Sequence, residues 1–264
     1  MKIVQLLPEL NEGGVERGTM ELSRELVKLG HESIVISAGG KLEEQIEKDG
    51  GRHITFDVCS KNPFTVPFRM IQLRKMLREL KPDILHARSR VPAWLTYLAN
   101  KKLHIPLVTT VHGFNSVSPY SAIMTKGDRV ICVSGAIKSY IQEHYQTEDK
   151  KITVIPRGID LEKFNPANID AEFIHQFSEE YSLRDKFIVT SVGRITQLKD
   201  LETFISAIAV LKQNHTNVVG LIVGGVREDK QEYFHSLEVL VKELGLDDNI
   251  LFTGSQIKVS EIYA

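Results

Sequence analysis

Two stretches of the chain gather residue types that can hold a negatively charged ligand. The first is LPELNEGGVERG, residues 7–18, in which adjacent glycines, Gly13 and Gly14, stand between an apolar run, KIVQLL, and a run of helical character, ERGTMELSRELVKLG. Glycine tolerates φ > 0 and lets another group come close to the backbone. A glycine turn that ends a strand and opens a helix presents free N–H groups and the positive end of the helix dipole, a combination that favours an anion. An ordinary strand-to-helix turn has the same look, and the stretch meets neither GxGxxG nor GxxxxGK[ST], so it is neither the dinucleotide fingerprint nor the NTPase phosphate loop. The second stretch is SVGRITQLKDLETF, residues 191–204. Arg194 follows Gly193 at the end of an apolar run, and Lys199 comes just before a helical pattern for which Asp200 is the expected N-cap. Arginine offers a planar fork and lysine a point charge, a pair suited to a diphosphate, although either alone would read as a solvated loop cation.

Such residues act only if the fold delivers them to one place. Ten short apolar runs rich in β-branched residues read as strands: KIVQLL, ESIVIS, HITFDV, DILHA, LVTTVH, RVICVS, KITVIP, FIVTSVG, VVGLIVGG and NILFTG. Between most of them lie helical patterns. Leu22, Leu26 and Leu29 precede Gly30, and Met70, Leu73, Leu77 and Leu80 precede Pro82. Phe204, Ile205, Ile208 and Leu211 repeat the spacing, as do Leu237, Leu240, Val241 and Leu244 before Gly245. Alternating strands and helices predict an α/β fold with parallel sheets, in which ligands bind beyond the carboxyl ends of the strands. Residues 161–186 are polar, contain Asn165-Pro166 and hold no strand. They predict a first domain over 1–165, a hinge over 166–186 and a second domain over 187–264. The second segment is short for a doubly wound domain and stops in what reads as the opening of a helix, so it is expected to be incomplete and less stable than the first.

Composition bounds the function. A 264-residue chain with 42% hydrophobic and 25% charged residues is of ordinary globular type, and its net charge of −1 supplies no global field for nucleic acid. Cys59 and Cys132 are far apart and in no metal-type spacing, which fits a reducing compartment. No apolar run reaches the roughly 18 residues of a membrane span, and KIVQLL is too short for a secretory leader, so a cytoplasmic protein is expected. There is no Asp-x-Asp pair to hold a divalent cation against phosphates; the acidic doublets, Glu43-Glu44, Glu179-Glu180 and Asp247-Asp248, lie in helical contexts. No cofactor and no metal are expected.

Taken in order, GGVER, PDILHARS (82–89), TTVHGF (109–114), VICVSGAIK (130–138), VIPRGIDLEKF (154–164), SVGRITQLKD (191–200), LIVGG (221–225) and ILFTG (250–254) resemble the retaining, nucleotide-sugar-dependent glycosyltransferases of family 4, with the GT-B fold. The resemblance implies two Rossmann-like domains facing a cleft, the acceptor bound mainly by the first and the donor mainly by the second. It implies that Gly13 and Gly14 close over the donor diphosphate, and that Arg194 and Lys199 neutralise the leaving group by electrostatic stabilisation without a metal ion. His112 matches the histidine near the transferred sugar. Ser255 and Gln256 fall where the family's backbone meets the nucleobase. Arg88 and Arg90, in HARSR, are placed to meet an anionic acceptor.

The chain departs from the family pattern twice. Arg157 stands where the family usually has the asparagine of IPNG, and the family's pair of glutamates, seven residues apart, would lie past residue 264. The chain alone is therefore expected to be inactive or nearly so. The implied activity is transfer of a sugar from a nucleoside diphosphate to a glycan or lipid-linked acceptor of the bacterial envelope. A sugar-nucleotide 2-epimerase on the same fold and a catalytically silent nucleotide-sugar-binding module are the alternatives. Arg69, Arg74, Lys75, Arg78 and Lys81 share one helix; a solvated face is the ordinary explanation, and contact with anionic lipid on the inner membrane face is the functional one. Trp94 and Tyr97 are expected to pack.

Overall fold

A computed structural model describes residues 1–11 and 13–264, which divide into two compact units, Met1–Gly158 and Ile159–Ala264. In the first, the apolar runs form seven strands: β1 (Lys2–Leu6), β2 (Glu32–Ser37), β3 (Arg52–Thr55), β4 (Ile84–Ala87), β5 (Leu107–Val111), β6 (Arg129–Cys132) and β7 (Ile152–Val154). They pair in parallel in the order β3-β2-β1-β4-β5-β6-β7. The helices between them are α1 (Gly14–Lys28), α2 (Glu43–Lys48), α3 (Val66–Leu80), α4 (Arg90–Asn100) and α5 (Gly135–Tyr145). Central strands are buried on both faces, which is why β1 and β2 read as mainly apolar runs without a regular polar alternation. The chain fills one side of β1 with β2 and β3, then crosses to β4 on the other side. That reversal opens a crevice at the carboxyl ends of β1 and β4, the position where doubly wound sheets take their ligands.

Helix ends follow the residues that stop them. Lys81 takes a left-handed conformation after α3 and Pro82 forbids continuation, while Gly30 supplies the left-handed turn after α1. Helix α1 buries small polar residues, and Ser23 Oγ lies 2.8 Å from Ser33 Oγ on β2, so the helix sits close to the sheet.

The second unit contains α6 (Ala171–Glu180), β8 (Phe187–Val192), α7 (Leu201–Lys212), β9 (Val218–Val223), α8 (Gln231–Glu243), β10 (Ile250–Gly254) and α9 (Val259–Ile262). Its strands are parallel in the order β10-β9-β8. All of β9 is buried, and its residues alternate between two apolar clusters: Val218 and Ile222 join Ile205, Ile208 and Leu237, whereas Val219, Leu221 and Val223 join Phe177 and Leu183.

That second cluster corrects the expected hinge over 166–186. Phe177 and Leu183 belong to the core of the second unit. Asp170 caps α6 by accepting from the Phe173 N–H at 3.1 Å, and its other carboxylate oxygen takes the ammonium of Lys258. The polar composition misled because an N-cap aspartate and its lysine partner look like loop residues until both are placed. Asp200 stands at the start of α7, as expected for a cap, but is left-handed and makes no side-chain capping bond.

Candidate functional site

In the first unit the β1–α1, β4–α4 and β5 ends meet at the crevice. A cavity of about 230 Å³ there is lined by Pro8, Val15, Glu16, Arg88, His112 and Gly113, among others. Arg88 follows β4 directly. Its backbone N–H donates to Leu6 O at 2.9 Å and its Nη1 donates to Gln5 Oε1 at 3.1 Å, a link across the switch point. The side chain is 7% exposed and its Nε has no hydrogen-bond partner. His112, one residue past β5, has both ring nitrogens buried without a partner. A buried polar atom left unpaired costs on the order of 1–3 kcal/mol, so these atoms form a surface whose cost a polar ligand would remove.

Gly13 and Gly14 open α1 as expected, but for one reason rather than two. Neither has a left-handed backbone; Gly13 is extended at φ 170°. What they provide is close approach. A Cβ on Gly14 would stand 2.4 Å from Arg157 Nη1, and one on Gly13 would stand 2.3 Å from Glu16 Oε2. The glycine turn therefore already carries a cation over Gly14 and a carboxylate over Gly13. Arg157, noticed in the sequence only as a departure, is a member of this group, and its guanidinium also lies near Gly18, beside that of Arg88.

Burial, aided by charge, sets the protonation of the site. Burial, with Arg88 and Arg157 adding to it, pushes the His112 pKa down to about 3, so its imidazole is neutral at physiological pH. Burial first, then Arg157, pushes Arg88 down to about 10, partly opposed by Glu21; Arg88 remains a cation. His86, on β4, is likewise pushed down to about 3, mainly by burial, and its Nε2 lies 2.7 Å from Thr110 Oγ1. The crevice thus offers two guanidinium groups and a neutral imidazole able both to donate and to accept.

In the second unit the expected cation pair comes together at the end of β8. A Cβ on Gly193 would lie 2.8 Å from Lys199 Cε and 3.2 Å from its Nζ, so the lysine folds back across the glycine next to Arg194. Both cations are exposed, and among the described residues neither is ion-paired. The loop is tied to the neighbouring strand end by Gly193 N–H to Val223 O at 2.8 Å and Ile195 N–H to Gly225 O at 3.1 Å. Ser255 follows β10 and approaches Gly225, 3.5 Å separating the serine Cβ from where a Cβ on that glycine would stand. The Gln256 side-chain amide donates to Thr253 O at 2.9 Å, so it folds back on its own turn. The ends of all three strands thereby converge, with glycines where backbones meet and cations on the rim. Among the described residues no group of three or more His, Cys, Asp or Glu side chains is assembled to hold a metal ion.

Two family models match the chain. Residues 12–163 match the model of Glycosyltransferase Family 4. The chain belongs to that family. Residues 173–264 of this family 4 chain match a second model, Glycosyl transferases group 1, and the fold is of the GT-B class. A glycosyltransferase from Rickettsia africae is similar in structure, with a TM-score of 0.85 at 32% identity, over 99% of this chain and 70% of that one. Anabaena HepE, solved with UDP-glucose, has a TM-score of 0.82 at 18% identity, over 99% of this chain and 71% of that one, a likeness of fold. Among curated relatives, an Escherichia coli UDP-Gal:alpha-D-GlcNAc-diphosphoundecaprenol alpha-1,3-galactosyltransferase is 27% identical over 84% of this chain and 60% of its own length. The alpha-monoglucosyldiacylglycerol synthase of Streptococcus pneumoniae is 24% identical over 91% and 58%. The first curated relatives are matched over 56%, 35% and 60% of their own lengths.

Two features of this family 4 chain escape sequence reasoning. Gln5 sits in an apolar run and signals nothing until it is seen to hold Arg88. The cations of α3 are not all a solvated face. Arg69 is 5% exposed and donates to Ser60 O at 2.8 Å and Asp57 O at 3.2 Å, and Arg74 donates to Ala99 O at 2.9 Å and Leu98 O at 3.0 Å. These two lash α3 to its neighbours. Helical spacing alone cannot separate a latch from a surface charge.

Proposed function

We propose that the protein is a retaining glycosyltransferase of the hexosyltransferase class. It moves a sugar from a nucleoside diphosphate donor to a glycan or lipid-linked acceptor in bacterial envelope polysaccharide or lipopolysaccharide synthesis. The observation that carries this reading is the pair Arg194 and Lys199, unpaired among the described residues and held across Gly193 at the end of β8. Departure of a nucleoside diphosphate leaves charge at its β-phosphate, and two preset cations stabilise that charge as it develops. Gly13 and Gly14 are proposed as diphosphate-binding residues of the first unit. His112 faces the transferred sugar as a hydrogen-bonding partner, its neutral imidazole being a weak base. Ser255 and Gln256 lie toward the nucleobase and Arg88 toward the acceptor. The activities for which the E. coli and S. pneumoniae relatives are named, both on lipids, favour the lipid-linked alternative.

The protein works in the cytoplasm, peripherally on the inner membrane face. No helix among the described residues is long and apolar enough to cross a membrane. Phe64, Phe68 and Ile71, at helical spacing, are 92%, 64% and 60% exposed, an apolar stripe suited to an interface.

The test is calorimetric titration with UDP, GDP and ADP. Arg194→Ala and Lys199→Ala should each weaken the preferred diphosphate about ten- to hundredfold, the loss of a charge-assisted contact of ~1.5–3 kcal/mol, at unchanged melting temperature. Parent-like binding by both variants would remove the diphosphate assignment. In a form of the enzyme that includes the family's glutamate pair, sugar transfer should also persist in excess EDTA; activity lost to chelator and restored by Mn²⁺ would contradict charge neutralisation by side chains alone.

A further inference from the structure

We propose that the first unit holds a trough for the hydrocarbon chain of an acceptor whose head is a phosphate, a long-chain lipid phosphate. The proposal rests on the transferase reading above and narrows its acceptor to one chemical class. A cavity of about 680 Å³ runs between α3 and α4, its apolar wall made by Val66, Val91, Trp94, Leu95, Leu98 and Tyr120. A sugar chain could stack on Trp94 and Tyr120 but would leave the aliphatic wall of Val66, Val91, Leu95 and Leu98 uncovered, whereas a hydrocarbon chain gains from every methylene it buries.

The charged residues lining the trough are Lys61, Arg69 and Arg90; among the described lining residues there is no Asp or Glu. Arg69 is spent on backbone carbonyls, which leaves Lys61 and Arg90 for a ligand. Arg90 Nη1 donates to Ser121 Oγ at 3.2 Å, and its guanidinium lies 5.6 Å from the Tyr120 ring centroid, so it is held at the trough wall. The trough and the smaller cavity of Arg88 and His112 share Pro8, Ser89 and Arg90 as walls. An occupant can therefore lie with its tail along Trp94 and its anionic head at Arg90, with whatever the head bears directed toward His112.

The trough is built before anything enters it. Trp94 Nε1–H donates to Tyr120 O at 2.9 Å, and Arg74 ties α3 to the last turn of α4 through the Leu98 and Ala99 carbonyls. Walls fixed in this way reduce the ordering cost of binding.

Trp94 is the chain's only tryptophan, so its emission reports on the trough without a label. The protein is titrated with dodecyl phosphate below its micelle concentration, and in parallel with octyl phosphate, dodecyl maltoside and inorganic phosphate. Dodecyl phosphate should shift the emission saturably. It should bind at least tenfold more tightly than octyl phosphate, since each buried methylene adds about three- to fourfold. It should also bind at least tenfold more tightly than the maltoside, and inorganic phosphate should leave the emission unmoved. Arg90→Gln should erase the preference for phosphate over maltoside, and Val91→Glu should abolish binding of both at unchanged circular dichroism. Absence of a shift, affinity independent of chain length, equal binding of maltoside and phosphate by the parent, or parent-like binding by Val91→Glu would each overturn the trough. Diphosphate binding in the second unit is read separately. Alkyl phosphate failing while UDP binds would sink the trough and leave the transferase reading standing; UDP failing would sink that reading whatever Trp94 reports.

Discussion

Taking the protein from pH 7 to pH 5 is expected to destabilise its first unit by about 4 kcal/mol through His86 and His112 alone. In the folded chain both imidazoles are buried and stay neutral down to about pH 3. In the unfolded chain each takes up a proton near the ordinary histidine value of 6.5. Between those limits the unfolded state holds two more protons than the native state. Stability is therefore complete above about pH 6.5 and declines as the pH falls toward 3, by roughly 1.4 kcal/mol per pH unit per histidine. Urea unfolding followed by Trp94 emission at pH 7, 6 and 5 reads the slope. His112→Asn should halve it, because only His86 then remains to titrate. A flat profile, or an equal slope in that variant, would mean that the two rings are not held neutral by burial.

The second large effect is steric. Gly224→Ala is expected to cost the second unit about 3 kcal/mol and to weaken diphosphate binding at least as much as removal of Arg194. A Cβ at 224 would stand 2.0 Å from Gly193 O, 2.6 Å from its carbonyl carbon and 3.2 Å from Arg194 N. These are backbone atoms, and the loop that carries them is pinned to β9 by the Gly193–Val223 and Ile195–Gly225 hydrogen bonds. To accept a methyl group the loop must move, and Arg194 moves with it. The adjacent glycine is the internal control. A Cβ at 225 meets nothing nearer than Ser255 Cβ at 3.5 Å, an ordinary contact, so Gly225→Ala should melt and bind like the parent. Equal behaviour of the two alanine variants, in melting and in UDP titration, would show that the strand ends do not approach as closely as described.

The fold was legible where its physics is local. All ten apolar runs contain strands, and the central ones are apolar in succession because they are buried on both faces of a parallel sheet. Gly30, Pro82 and Gly245 mark helix ends for reasons that each residue carries with it. The rest depended on partners distant in sequence. Arg157 and Gly14 are 143 positions apart by their numbering, and nothing at either place announces the other. The same holds for Gln5 with Arg88, and for Asp170 with Lys258, whose pairing makes a folded segment of what reads as a linker. The glycine pair at 13 and 14 was legible as a place of close approach but not in its conformation, since composition does not distinguish a glycine needed for its torsion from one needed for its missing Cβ.

Among the described residues the core clusters of the two units share no side chain: those of the first draw on Val4 to Ile152 and those of the second on Phe173 to Ile262. This gives the border at Gly158 the character of a seam for inheritance. Substitutions that repack one interior impose no compensating change on the other. A gene carrying this chain could therefore exchange either half in a single recombination, with no core cluster left to be refitted. Variation in the two interiors is free to run at different rates.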